Sequence, residues 1–373
     1  MEKQGLVDDL TYKLAISLLP GIGPIKARKL VSYVGSIEGI FKEKVSALEK
    51  IPGIGSILAS KVNIDNVLDS AKKESEFISK YNIRPYFYLD SDYPKSLQKY
   101  DDSPLMIFVK GEFDFNKGKF ISMVGTRKMS HYGGELCEKM ISDLVKAGFK
   151  PTIVSGLAYG VDHCAHNAAL NNGLKTLAVL GHGLDMIYPS SHKELAKKII
   201  ENGALVTEFA SSSKRDAANF VRRNRIIAAL STATVVVETP VKGGSLITAE
   251  FAVQYSKDVF TFPGRVGDKN SAGCNYLIKT NRAALIENAD DLIYALSWEK
   301  SKKSPLQAQV FVELNPDEEK IVQLLREQEF VNVDSIVYES KLPINKVLAL
   351  LFNLEFNNIV KALPGRMYKL IND

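Results

Sequence analysis

No apolar run in the chain approaches the ~20 residues that a membrane-spanning helix needs, and charges at Glu2, Lys3, Asp8 and Asp9 interrupt its start. Neither a membrane span nor an export signal is expected, and the expected location is the cytoplasm. Cysteine is scarce. Cys137, Cys164 and Cys274 are far apart and odd in number, which argues against a disulfide framework and makes them expected core residues. Histidine is also sparse, with all five (His131, His163, His166, His182, His192) in one stretch. His163 and His166 would share a helical face, but no third ligand stands at useful spacing, so no metal is expected. Charge of one sign is nearly absent in excess: the net charge of +5 permits nucleic acid without demanding it, and the distribution of charge decides.

What is present suits two or three domains, since 373 residues exceed one ordinary domain of roughly 100 to 200. Residues 1–80 are apolar at helical spacing and carry one pattern twice: Leu19-Pro20-Gly21-Ile22-Gly23, followed by Lys26 and Arg28, and Ile51-Pro52-Gly53-Ile54-Gly55, followed by Lys61. Each unit has the composition of a helix-hairpin-helix, whose glycines allow a sharp turn and whose amides can approach a DNA phosphate. A plain helical hairpin or a protein-docking module has the same composition.

Residues 81–298 form the expected core. Short apolar runs at Phe120 to Val124, Thr152 to Ser155, Thr176 to Leu180, Ala204 to Glu208, Thr234 to Val237, Val259 to Phe262 and Ala284 to Ile286 read as parallel strands buried on both faces. Helical patterns at Gly133 to Ala147, Val161 to Asn171, His192 to Asn202 and Ile247 to Ser256 separate them. The alternation predicts an α/β, Rossmann-like doubly wound and mostly parallel sheet, with ligands at the carboxyl ends of its strands. Residues 299–312 are polar and aperiodic and read as a linker. Residues 313–373 show three helical patterns and two apolar strands around Pro364-Gly365, as in a winged helix; ten acidic against seven basic residues favour a protein-contact or dimer-support role there over DNA reading.

Three strand ends carry glycine: Gly125-Thr126-Arg127, Ser155-Gly156, and Gly181-His182-Gly183. The first is not the G-x-G-x-x-G fingerprint, so a nicotinamide or flavin site, and any other cofactor, is not expected. Arg127 can hold a phosphate bidentately. The densest signal is Lys214, Arg215, Asn219, Phe220, Arg222, Arg223, Asn224 and Arg225. Arginines expected in the first turns of a helix are disfavoured by its dipole unless an anion sits there, and Phe220 offers a face on which a base can stack. A structural network pairing these arginines with Glu208 or Glu238 is the other reading. Lys242-Gly243-Gly244-Ser245 opens a further helix and reads as a phosphate site.

In order, VGTR, SGLAYGVDHCAH, AVLGHGLDMIYP, the F-x-x-RNRIIA-x-LS run, VVVE with GGSLIT, and FPGR with AGCNYLI closely resemble the DprA/Smf family over roughly residues 100 to 297. The resemblance implies a Rossmann-like domain that binds single-stranded DNA, dimerises, loads the RecA recombinase and protects incoming DNA during natural transformation, without catalysis. It assigns Arg127, Phe220 and Lys242 to DNA. Some relatives carry a basic residue where this chain has Ala217, and Lys214 and Arg215 stand nearby. The competing reading is an enzyme: Pro240 to Glu250 is distantly similar to the P-G-G-x-G-T-x-x-E loop of nucleoside-monophosphate phosphoribohydrolases, but Ser245 and Leu246 stand where that pattern needs x-Gly.

Overall fold

The computed structural model describes residues 9–62, 65–214, 216–299, 314–327, 330–357, 359–363 and 366–370. The expected linker, apart from Glu299, the Pro364-Gly365 turn and Arg215 fall outside the described residues. The chain divides into two compact units, Met1–Lys300 and Ser301–Asp373.

The first unit opens with six helices: α1 (Asp9–Leu18), α2 (Pro24–Val34), α3 (Ile37–Lys42), α4 (Val45–Leu48), α5 (Gly55–Val62) and α6 (Asp65–Lys80). Both Pro-Gly-Ile-Gly units form inter-helix turns. Gly21 and Gly53 adopt left-handed φ of 77° and 86°, which a side chain resists, and Ile22 and Ile54 are buried beside them to pin the hairpins. Polar contacts tie these helices to the core. Lys13 pairs with Asp90 at 2.8 Å, and Glu74 accepts hydrogen bonds from the Ser211 amide and hydroxyl. Arg28, grouped by sequence with the basic residues after the first turn, instead donates to the Ser103 carbonyl at 3.2 Å and lies 4.4 Å over the Tyr88 ring. It fastens the helices to the core, leaving Lys26 and Lys61 partly exposed.

The rest of the unit contains β1 (Arg84–Phe87), α7 (Lys95–Gln98), β2 (Met106–Lys110), β3 (Phe120–Val124), α8 (His131–Lys146), β4 (Thr152–Ser155), α9 (Val161–Asn171) and β5 (Thr176–Val179). There follow α10 (Lys193–Asn202), β6 (Gly203–Thr207), α11 (Ala217–Leu230), β7 (Ala233–Val236), α12 (Gly244–Gln254), β8 (Asp258–Thr261), α13 (Ala272–Lys279), β9 (Ala284–Leu285) and α14 (Ala289–Ala295). One sheet runs β1-β2-β6-β5-β4-β3-β7-β8-β9. The seven strands from β6 to β9 in that order are parallel; β1 and β2 are added antiparallel at one edge. Pro85 gives β1 no place inside a sheet, and the edge is where it lies.

Period-2 alternation sends Phe120 and Val124 into the layer that holds Ile226 of α11 and Ala249 of α12, and Ile121 and Met123 into the layer that holds Met140 of α8 and Ala165 of α9. All three cysteines are buried. Chain order reverses beside β3, whose neighbours are β4 and β7; that switch point opens a crevice at the carboxyl ends of the strands.

The second unit consists of α15 (Pro316–Glu327), β10 (Val331–Asn332), α16 (Val333–Ser340), α17 (Ile344–Phe356), β11 (Val360–Leu363) and β12 (Met367–Leu370), with an antiparallel sheet ordered β10-β12-β11. It is a winged helix. Val347, Leu351 and Leu354 of α17 enter its core with Ile321 and Ile336, while Ile344, Leu348, Phe352 and Phe356 form an exposed stripe on the same helix.

Candidate nucleic-acid interface

A cavity of about 630 Å³ occupies the switch point. The end of β3, the start of α11 and the loop before α12 line it. A smaller pocket reaching Gly181 and His182 shares Arg127, Ala158, Tyr188, Phe220 and Arg223 with it, so the two form one crevice.

The β3 end enters first. A Cβ on Gly125 would lie 2.8 Å from the Glu238 carbonyl, so glycine is required where this turn meets β7. The Thr126 amide donates to that same carbonyl at 2.7 Å, and its hydroxyl accepts from the Lys128 amide at 3.1 Å. This braced turn carries Arg127 outward. Arg127 is exposed and has no carboxylate partner among the described residues.

Ser155 and Gly156 do not reach the cavity as expected. The Ser155 hydroxyl is buried and donates to the Met123 carbonyl at 2.6 Å. Gly156 makes room for the Arg223 guanidinium and the Asp162 carboxylate, both of which a Cβ there would strike. Its carbonyl is bonded to His166 Nε2 at 2.6 Å, while His166 Nδ1 meets Thr176 at 2.7 Å. Burial holds the His166 imidazole down at about 4, so it is neutral at pH 7. His163 does not share that environment: it is exposed, with its ring 4.7 Å from His192.

The α11 cluster divides. Asp216, the N-cap, accepts a hydrogen bond from the Ala218 amide at 2.9 Å, so the helix start is already served by the chain's own carboxylate. Arg222, Arg223 and Arg225 lie beyond the first turn of a helix that begins at Ala217, where the dipole no longer acts on them; the expected dipole penalty does not arise. Arg222 and Arg225 both pair with Glu208, at 2.7 and 2.6 Å, with side chains 49% and 7% exposed. Arg225 is therefore a structural residue, because its burial and its carboxylate leave no face for a phosphate. Arg223 is buried as well, but it lines the crevice, donates to the Val179 carbonyl and stands beside Asp162. Burial lowers its pKa.

Asn219 pins the preceding loop by donating to the Lys214 carbonyl at 3.1 Å, and Asn224 lines the cavity with its amide 3.4 Å from the Gly244 carbonyl. Lys214 is exposed. Phe220 is half-buried, with its ring 5.7 Å from Tyr188 and 6.4 Å from His182; a Cβ on Gly181 would come within 2.8 Å of it. Tyr188, 45% exposed, was not singled out from the sequence, although its motif was. Its contact with Phe220 crosses 32 residues and leaves no trace in spacing.

The loop Pro240 to Ser245 closes the crevice. Gly243 is the N-cap of α12, which has no side-chain cap; the Leu246 amide donates to the Gly243 carbonyl at 3.1 Å, and the Gly244 and Ser245 amides before it have no intrahelical partner. The Ser245 hydroxyl is buried, with the residue 6% exposed, and has no hydrogen-bond partner among the described residues. Both Gly244 and Ser245 line the cavity. Lys242 is exposed on the same loop. Glu250, the acid of the enzyme reading, is exposed on α12 and 3.4 Å from Arg282. Among the described residues no cluster of His, Cys, Asp or Glu could hold a metal.

Comparison with known proteins agrees with this architecture. Residues 84–297 match the family described as DNA recombination-mediator protein A. Protein Smf of Synechocystis is 32% identical over 96% of this chain and 98% of its own length. The chain belongs to the DNA recombination-mediator protein A family. Residues 13–62 further match the SAM-like helix-hairpin-helix tandem, and residues 305–366 the DprA winged helix domain. The crystal structure of DNA processing protein A from Streptococcus pneumoniae is similar at a TM-score of 0.63 and 31% identity, covering 76% of this chain and 97% of that one. A structure of DNA processing protein A from Helicobacter pylori, described by its single-stranded DNA binding mode, is similar at 0.52 and 27%, covering 59% and 97%. The crevice falls wholly within the part that matches the DNA recombination-mediator protein A family.

Proposed function

We propose that the crevice holds single-stranded DNA, with the uncapped start of α12 as its phosphate site. The observation that carries this reading is the start of α12: Gly244 and Ser245 line the same cavity as unpaired Arg127, and the Ser245 hydroxyl, buried just beneath that surface, has no hydrogen-bond partner among the described residues, which is costly. A phosphate there is met by the Gly244 and Ser245 amides and by Arg127, and a small shift of Ser245 gives its hydroxyl a partner as well. Phe220 and Tyr188 supply ring faces that an unpaired base can stack on, whereas the bases of a duplex are already stacked and inaccessible. Arg127, Lys214 and Lys242 are the exposed cations that meet phosphates, Arg223 supplies buried positive potential, and Gly125, Thr126, Asn219, Asn224, Gly243 and Gly244 shape the backbone around the strand.

The chain then acts as a binding protein in the cytoplasm, protecting incoming DNA and loading RecA onto it, without a catalytic step. Family resemblance supports the RecA role, and the Helicobacter pylori relative supports the single-stranded ligand. The position of Glu250 outside the crevice weighs against nucleoside-monophosphate hydrolysis. For the homodimer we assign the sheet edge at β9, where Leu285 is exposed, since an edge strand is a surface on which a second chain can pair. Leu285→Glu is expected to shift the chain to monomer in sedimentation equilibrium, and an unchanged mass would refute that surface.

Titration with fluorescent oligo-dT tests the central reading. Tight, salt-sensitive binding that Ser245→Val and Arg127→Ala each weaken is expected; binding indifferent to both would overturn it.

A further inference from the structure

A second groove, of about 660 Å³, lies on the flank of α10. Nothing in the crevice described above requires it. Lys193 and Lys197 of α10 and Lys110 at the end of β2 line it, over a floor that includes Ile187, Ile200 and Leu205. Tyr188 belongs to the lining of this groove and of both parts of the crevice. The two sites therefore meet at one exposed ring, itself 5.7 Å from Phe220.

Resting on the reading of the crevice as a single-stranded DNA site, we propose that the strand leaves the crevice over Tyr188 and continues along this groove, with its phosphates on the lysines. Continuity and charge both favour that occupant. Lys193 and Lys197 are four residues apart, so they share one helix face about 6 Å apart along the axis and form a row that a phosphate backbone can follow. The alternation of cations with apolar floor matches what unspecific single-strand binders use, a charged track beside surfaces that accept bases.

Two carboxylates stand near the lysines. Glu194 pairs with Lys197 at 2.8 Å, with both side chains mostly exposed; such a pair contributes little, so a phosphate can replace it. Asp185 lines the groove, but its Oδ1 lies 2.7 Å from where a Gly183 Cβ would stand, folded back on its own loop. Lys193 and Lys110 have no carboxylate partner among the described residues, and Lys110 rests 5.8 Å from the Tyr81 ring centre.

The test is the length dependence of oligo-dT binding, from roughly 4 to roughly 16 nucleotides, for the full chain and for Lys193→Gln/Lys197→Gln and Lys193→Glu/Lys197→Glu. Wild type is expected to gain at least about tenfold in affinity over that range. Both double variants are expected to keep the short-oligonucleotide affinity and lose most of the gain, and the salt slope for the long oligonucleotide should fall by about 0.7 per lysine. Thermal melting checks that both variants fold; the lysines are at the surface, and the glutamine pair changes charge alone. An unchanged length gain in folded variants would overturn the groove, as would an equal loss for short and long oligonucleotides, which would place the lysines at the crevice instead. Absence of wild-type binding at every length is a different failure: it rejects the crevice reading itself.

Discussion

Arg225 donates to Glu208 Oε2 at 2.6 Å, and both side chains are almost fully buried. Arg222, half-exposed, reaches the same oxygen at 2.7 Å. A carboxylate at the end of β6 thus holds one guanidinium inside the fold and restrains the next, so the arginine run of α11 is partly scaffold.

Removing Glu208 leaves Arg225 buried and uncompensated. Glu208→Ala is expected to cost about 3 kcal/mol of stability, measured by urea unfolding. An unfolding midpoint within error of wild type would show that the pair contributes nothing to the fold.

Ser245→Ala should separate stability from binding. Deleting an unpartnered buried hydroxyl relieves a penalty of about 1 kcal/mol, so the free protein should be as stable as wild type or more so, while oligo-dT binding weakens severalfold. Loss of stability in the free protein would mean that the hydroxyl is satisfied without DNA.

Phe220 contributes a ring and no charge. Phe220→Ala is expected to weaken oligo-dT binding by about 1–3 kcal/mol while the slope of affinity against salt stays at the wild-type value. A changed slope would contradict the stacking role, because it would mean that phosphate contacts were lost too.

His166 sets a pH dependence of the fold. Its folded pKa of about 4 lies below the unfolded value near 6.5, so the unfolded chain binds the extra proton between those values. Its stabilising contribution is therefore complete above about pH 6.5 and is lost as pH falls towards 4, on the order of 3 kcal/mol in all. His182, also lowered by burial, acts in the same direction. Urea midpoints measured across that window should fall with pH in wild type and fall less in His166→Gln; parallel curves would remove His166 from the account.

The sheet was legible because its central strands are buried on both faces: runs such as Phe120 to Val124 are apolar apart from Ser122, and Val161–Asn171 carries its helical period from end to end. The edge pair β1 and β2 was not, since Pro85 breaks the first strand's signal. At the site, glycine marked the strand ends correctly but not their purpose. Gly125 serves a close backbone approach, whereas Gly156 makes space for Arg223. Side-chain destinations are tertiary facts, and so Arg28, Arg225 and Tyr188 could not be placed from neighbours in sequence. The exposed stripe of α17 was likewise hidden, because Leu348 and Phe352 share their helix with the buried Leu351 and Leu354 and apolar residues crowd the whole period.

The central claim is that exposed Arg127 and the uncapped start of α12 form a phosphate site for an unpaired strand. The most direct measurement is a titration of wild type and Arg127→Ala with fluorescent oligo-dT and with a matching duplex at two salt concentrations. Tighter binding to the single strand, weakened by salt and weakened again by the substitution with a salt slope smaller by about 0.7, is the predicted result. Equal or absent binding to both DNAs, or a substitution without effect, would contradict it.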